Sequence, residues 1–113
     1  MQLDPGQIVL VVFPFSDRTA TKVRPALVVS ASEFNRGEDF VALPISARIS
    51  DDPHGYPIRS TDPFFAQTRL RTDSTVRWTK VMTLTSRVMT RRLGTIPPDV
   101  LQRIQELVRT IFL

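Results

Sequence analysis

The run Ile8-Val9-Leu10-Val11-Val12-Phe13 narrows the possible folds more than any other feature of the chain. It is rich in β-branched residues, too short for a typical helix, entered through Pro5-Gly6 and stopped by Pro14, which together describe a strand. A strand with one wet face alternates apolar and polar residues, and this one does not, so both of its faces are expected to be buried. In a chain of 113 residues, one domain with a single core is the expectation. A strand buried on both sides then suggests a small closed barrel.

The remaining segments fit that plan. After Pro14, the polar stretch Ser16–Lys22 reads as a hairpin loop, and Ala26–Ser30 as the strand that pairs back on the first. Ser32–Asp39 is a polar turn with room for one helical turn. Phe40–Ile45 is a third strand, and Pro44 near its end suggests an edge or a bulge. Asp51-Asp52-Pro53-His54-Gly55-Tyr56-Pro57 is the strongest turn cluster and argues against regular structure there. A weaker strand is expected near Ile58–Ser60, and Phe64, Phe65, Ala66 and Leu70 are expected to supply core residues. Thr75–Trp78 and Val81–Leu84 read as β, Thr85-Ser86 opens a short helical turn, and Val88–Ile96 returns to strand. From Pro98 the period changes. Leu101, Ile104, Leu107, Val108 and Ile111 recur at helical spacing, with Pro98 suited to the first helical position and Asp99 to the positive end of the dipole. This helix is expected to cover an open side of the barrel. The fold class is therefore α+β, mostly β, with the chain from 1 to 113 as a single domain.

Composition excludes several chemistries. The chain has no cysteine and one histidine, so a disulfide scaffold, a thiolate nucleophile and a multi-histidine metal site are all ruled out. No apolar run reaches the roughly 18 residues of a membrane span, and the first residues lack a signal-peptide pattern. A cytoplasmic protein working through Arg, Ser, Thr, Asp and Glu is the expectation. Fifteen Lys and Arg stand against eleven Asp and Glu. Arg69, Arg71, Arg77, Lys80, Arg87, Arg91 and Arg92 crowd into one stretch, and the planar guanidinium fork matches phosphate oxygens.

Arg24 is the candidate around which a site can be built. It stands beside the apolar run Ala26–Val29, but a guanidinium is rarely buried without a partner, so it belongs at a sheet rim, pointing into a cleft. Pro25 disfavours the helical region for Arg24 and fixes the angle at which the side chain is presented. Three blocks, Asp4-Pro5-Gly6-Gln7-Ile8-Val9-Leu10-Val11-Val12-Phe13-Pro14-Phe15-Ser16-Asp17, Arg24-Pro25-Ala26-Leu27-Val28-Val29-Ser30 and Pro44-Ile45-Ser46, resemble in order and spacing the opening of the PemK/MazF family of toxin endoribonucleases. The likeness continues more loosely through Asp73-Ser74-Thr75-Val76-Arg77 and Leu93-Gly94 to the final helix.

That resemblance implies an SH3-like antiparallel barrel, a homodimer, and cleavage of single-stranded RNA without metal or cofactor, held in check by an acidic antitoxin. It implies catalytic roles for Arg24, Ser46 and Arg77, and the polar and cationic residues near them in sequence, Lys22, Arg69, Arg71, Thr79 and Lys80, are the candidate RNA contacts. Metal-free RNA cleavage needs a base for the 2′-hydroxyl, an acid for the leaving 5′-oxygen and positive charge on the phosphorane between them. Relatives that use the counterpart of Arg77 carry a carboxylate two residues beyond it. This chain has Thr79 there, and a hydroxyl cannot serve as a base near neutral pH. Asp17, Glu33 and Asp73 stay open as the base. His54, in a Pro-His-Gly setting, reads as an exposed turn residue, Trp78 as core, and Ser74 as structural. The alternative is a non-catalytic relative on the same fold, either an RNA-binding module or a gyrase poison.

Overall fold

In a computed structural model describing residues 2–13 and 22–113, seven strands form one sheet. The strands are β1 (Gln7–Phe13), β2 (Lys22–Val28), β3 (Asp39–Ser46), β4 (Gly55–Ile58), β5 (Ser74–Arg77), β6 (Met82–Thr85) and β7 (Met89–Thr95). Two helices join them, α1 (Phe65–Thr68) and α2 (Pro98–Arg109), with single 3-10 turns at Phe34–Arg36 and Ser86–Val88. Every pairing is antiparallel, in the order β4-β5-β3-β2-β1-β7, with β6 also on β3. The expected hairpin loop Ser16–Lys22 lies outside the described residues, apart from Lys22, which already belongs to β2.

The sheet is barrel-like but open, because β4 and β7 end the order and do not pair with each other. Double burial of β1 comes instead from a core on each side. On one side, Ile8 packs with Leu27, Leu43, Ile45, Val76 and Trp78, beneath Val100 and Ile104 of α2. On the other side, Val9 and Val11 pack with Leu3, Ala26, Val28, Phe40, Ala42 and Leu84. The sheet does not close, but the small, mostly antiparallel barrel-like fold stands, with an apolar core on each face of β1. Gln105 Nε2 of α2 donates to the Val29 carbonyl at 3.0 Å, which fixes the helix over the end of β2.

Three corrections to the sequence reading have clear physical causes. Gly55, Tyr56 and Pro57 lie in β4 rather than in a turn. Pro57 is tolerated because β4 is the terminal strand, where a missing N–H leaves no ladder bond unmade. Pro44 sits inside a strand with partners on both sides, since β2 pairs with it through Ala26. On the far side of β3 the partner changes at that point, with β6 ending at Ala42 and β5 beginning at Ile45. Pro44 stands at that change of partner, and Trp78–Val81 is the turn that joins β5 to β6. Finally, α1 was not anticipated. Its Thr68 and Gln67 carbonyls press against Gly94 so closely that any side-chain carbon there would clash.

Candidate active site

Register brings the catalytic candidates to one face. Leu27 pairs with Leu43 and Ala26 with Pro44, where the β2–β3 ladder ends; Arg24 and Ser46 lie two residues further along their strands, on the same face. Ser46 in turn pairs with Thr75 of β5, and Arg77 lies two residues further along that strand. Arg24, Ser46 and Arg77 thus share one face of the sheet, with Arg77 on the strand beyond Ser46. Arg24 is exposed and Ser46 half-buried at the strand end. Arg24 shares its face with Ala26 and Val28, and so stands at the rim of the second apolar cluster, as a charged group beside a core segment must.

Arg77 is held differently. Its Nη2 donates to Asp52 Oδ2 at 3.3 Å, its side chain is 28% exposed, and its Nε is buried without a hydrogen-bond partner. Asp52 belongs to the loop between β3 and β4, which Thr75 pins to the sheet. Thr75 Oγ1 donates to the Arg48 carbonyl at 2.8 Å and accepts from the Ser50 amide at 3.1 Å. Within the loop, the Asp52 amide donates to Ser50 Oγ, and the His54 amide donates to Asp52 Oδ1 at 2.9 Å. That amide bond, helped by the Arg77 and His54 charges, holds the Asp52 carboxyl below the usual carboxylate range against a smaller opposing effect of burial. His54 is exposed, as its turn setting implied, but its ring stands edge-on to Trp78 at 5.3 Å with Nδ1 3.6 Å from Asp52 Oδ1. Trp78 is itself buried in the core.

The carboxylate nearest Arg77 is therefore Asp52, which sequence reasoning missed. The signal available was an Asp-x-His turn of the kind in which an aspartate caps the amide two residues on. Of the acids considered, Asp17 lies outside the described residues. Glu33 sits beyond the far end of β2 from Arg24, at the start of a 3-10 turn. Asp73 accepts from the Ser60 amide at 2.7 Å, a bond that lowers its pKa and ties it to the neighbouring loop. Ser74 is buried and spends its hydroxyl on the Thr72 carbonyl.

The RNA-contact candidates divide between two places. Lys22 lies two residues from Arg24 on β2 and is exposed, and Thr79 and Lys80 are exposed on the turn that follows Arg77. Arg69 and Arg71 do not join them. With Arg91 they rim a separate cavity of about 320 Å³ whose floor includes Leu10, Val23, Pro25 and Leu93. Val23 and Pro25 flank Arg24 in sequence and therefore face away from it. The four cations among these candidates therefore do not line a single cleft. Among the described residues, no group of three His, Asp or Glu side chains is arranged to hold a metal ion, and no helix is long and apolar enough to cross a membrane.

The fold is that of MazF-type toxins. MazF from Deinococcus radiodurans superposes with a TM-score of 0.78 at 22% identity, covering 99% of this chain and 97% of the other. A mycobacterial endoribonuclease solved with its cognate antitoxin gives 0.71 at 20% identity, over 98% and 93%. The Mycobacterium tuberculosis toxin MazF-mt6 gives 0.73 at 16% identity, over 94% and 95%. No curated protein sequence matches. The chain belongs to the PemK-like, MazF-like toxins of type II toxin–antitoxin systems, whose family model matches residues 4–112.

Proposed function

We propose that this chain is the toxin of a type II toxin–antitoxin pair and a metal-independent, sequence-specific endoribonuclease acting on single-stranded mRNA. The observation that carries the reading is the register that puts Arg24 and Ser46, each two residues beyond the Ala26–Pro44 pair, on one sheet face with Arg77 on the next strand. A cation, a hydroxyl and a second cation around one phosphodiester are the groups that phosphorane stabilisation calls for. The 2′-hydroxyl gives its proton to a base as its oxygen attacks the adjacent phosphorus, and the 5′-oxygen leaves, giving a 2′,3′-cyclic phosphate and a 5′-hydroxyl end. Arg24 neutralises the phosphorane and donates the proton to the leaving oxygen. Ser46 hydrogen-bonds the same phosphate, and Arg77 is the second cationic contact. No cofactor enters.

Lys22, Thr79 and Lys80 extend the RNA track on the Arg24 side, and Arg69 and Arg71 hold backbone phosphates that reach the separate cavity. The protein acts in the cytoplasm as a homodimer of single-domain subunits, restrained by an acidic antitoxin. Solved complexes of MazE with MazF, and of a mycobacterial endoribonuclease with its antitoxin, support a partner of this kind. Incubation of the purified protein with a long mixed-sequence RNA in EDTA tests the reading. Discrete fragments with 2′,3′-cyclic ends are expected, and intact RNA sinks it. One observation favours the runner-up, a non-catalytic relative: position 79 carries a threonine and Arg77 is engaged by Asp52. Binding without cleavage in the same experiment would select it.

A further inference from the structure

Asp52 and His54, two residues apart on one loop, meet Arg77 of β5, the second cation of the proposed phosphate site. Asp52 accepts from Arg77 through one carboxylate oxygen and from the His54 amide through the other, and that second oxygen also faces His54 Nδ1. An imidazole whose Nδ1 is directed at a carboxylate keeps its proton there and leaves Nε2 as the acceptor. The T-shaped contact with Trp78 restrains the ring on its other side, while more than half of the His54 side chain stays open to solvent. His54 directly precedes Gly55, which pairs with Arg77, so the imidazole stands one strand out from β5 at the level of that arginine. The Nδ1–Oδ1 separation of 3.6 Å is longer than a hydrogen bond. Catalytic contacts of this kind tighten when substrate binds.

We propose that His54 is the general base of this site and Asp52 its positioning residue, so that the loop between β3 and β4 supplies the proton acceptor that position 79 does not. This rests on the ribonuclease reading above. His54 Nε2 takes the proton of the 2′-hydroxyl as the 2′-oxygen bonds to phosphorus. The bond to the 5′-oxygen breaks, that oxygen takes a proton from Arg24, and water restores the guanidinium as the imidazolium releases its proton. Nothing is oxidised or reduced. The charged groups around the ring are Asp52 and the exposed Asp51 on its own loop, with Arg77 on β5 behind the carboxylate. Tyr56 on β4 turns its hydroxyl to Arg103 instead.

His54 is the chain's single histidine, which makes its titration directly readable by NMR. The rate of metal-free RNA cleavage should fall on the acid side with the same midpoint as that titration. His54→Gln should lose about a hundredfold in rate, within the range that general base catalysis contributes, and should lose the acid limb with it. His54→Ala should regain cleavage when free imidazole is added. Asp52→Asn takes away the carboxylate that orients the ring, so kcat should fall while KM for RNA holds, and Asp52→Glu should restore part of the rate. If the wild type cleaves and His54→Gln cleaves equally well with an unchanged profile, His54 is not the base and the ribonuclease reading stands without it. An unchanged kcat in Asp52→Asn removes Asp52 from its role, and absence of metal-free cleavage by the wild type overturns both readings together.

Discussion

The side chains of this site are governed by two different physical rules, and only one of them is visible in sequence. Arg24 and Ser46 are placed by strand register, so a proline-fixed arginine and a strand-terminal serine could be assigned from short local motifs. Asp52 is placed by folding of a loop onto β5, a contact between residues 25 apart in the chain, and nothing in Asp51-Asp52-Pro53 announces it. His54 was legible as an exposed turn residue, yet the packing of its ring was not, because Trp78 reaches it from beyond the end of β5. Arg24 gives the sharpest residue-level expectation. Being exposed, it contributes charge rather than packing, so Arg24→Ala should leave the melting temperature within about a degree, as surface substitutions do. The loss of phosphorane stabilisation should lower RNA cleavage by about a hundredfold or more. A melting curve and a cleavage assay on the same preparation decide it, and a destabilised or fully active variant would make Arg24 structural.

At the level of elements, strands were legible wherever β-branched runs are punctuated by Pro or Gly, as around Ile8–Phe13, and α2 was legible from its 3.6 period. Failures came where an element is too short for any period to show. The four residues of α1, Phe65–Thr68, complete a single turn held by tertiary contact, with Thr68 Oγ1 donating to the Phe65 carbonyl at 2.6 Å and Gly94 giving it room. The loop from Ala47 to His54 is likewise ordered by partners rather than by propensity. Its carboxylate gives a measurable consequence with a definite sign. Asp52 has a depressed pKa in the folded protein. Its stabilisation is therefore present above the ordinary carboxylate value of 3.8 and is lost as pH falls through the lower folded-state value. Asp52→Asn should melt below the wild type at pH 7, and the gap should close as the pH is lowered past 4 toward 2. A gap that persists undiminished at the acid end would mean that the asparagine disturbs packing rather than charge.

For the molecule as a whole, the distribution of cations matters more than the net charge of +4. One cationic area surrounds Arg24 and Arg77, and a second, rimmed by Arg69, Arg71 and Arg91, lies over an apolar floor on the other side of β2. Either could receive an acidic antitoxin segment that folds as it binds, setting carboxylates on guanidinium groups and apolar side chains beside them. RNA and inhibitor compete directly only if they share the first area. Arg77 separates the cases, and glutamine is a better replacement than glutamate, which would face Asp52 and displace the loop by repulsion. A charge-assisted hydrogen bond contributes about 1.5–3 kcal/mol, so Arg77→Gln should weaken RNA about tenfold or more. It should weaken the antitoxin segment by a similar factor if the segment lies in the same cleft. Association of the segment should also slow as salt rises, while apolar anchoring keeps dissociation nearly constant. Titrations of both ligands against wild type and Arg77→Gln measure this. Loss of RNA affinity with the antitoxin segment unaffected would place the segment over the Arg69–Arg71–Arg91 cavity, and inhibition would then have to be transmitted through β2 rather than exerted by occlusion.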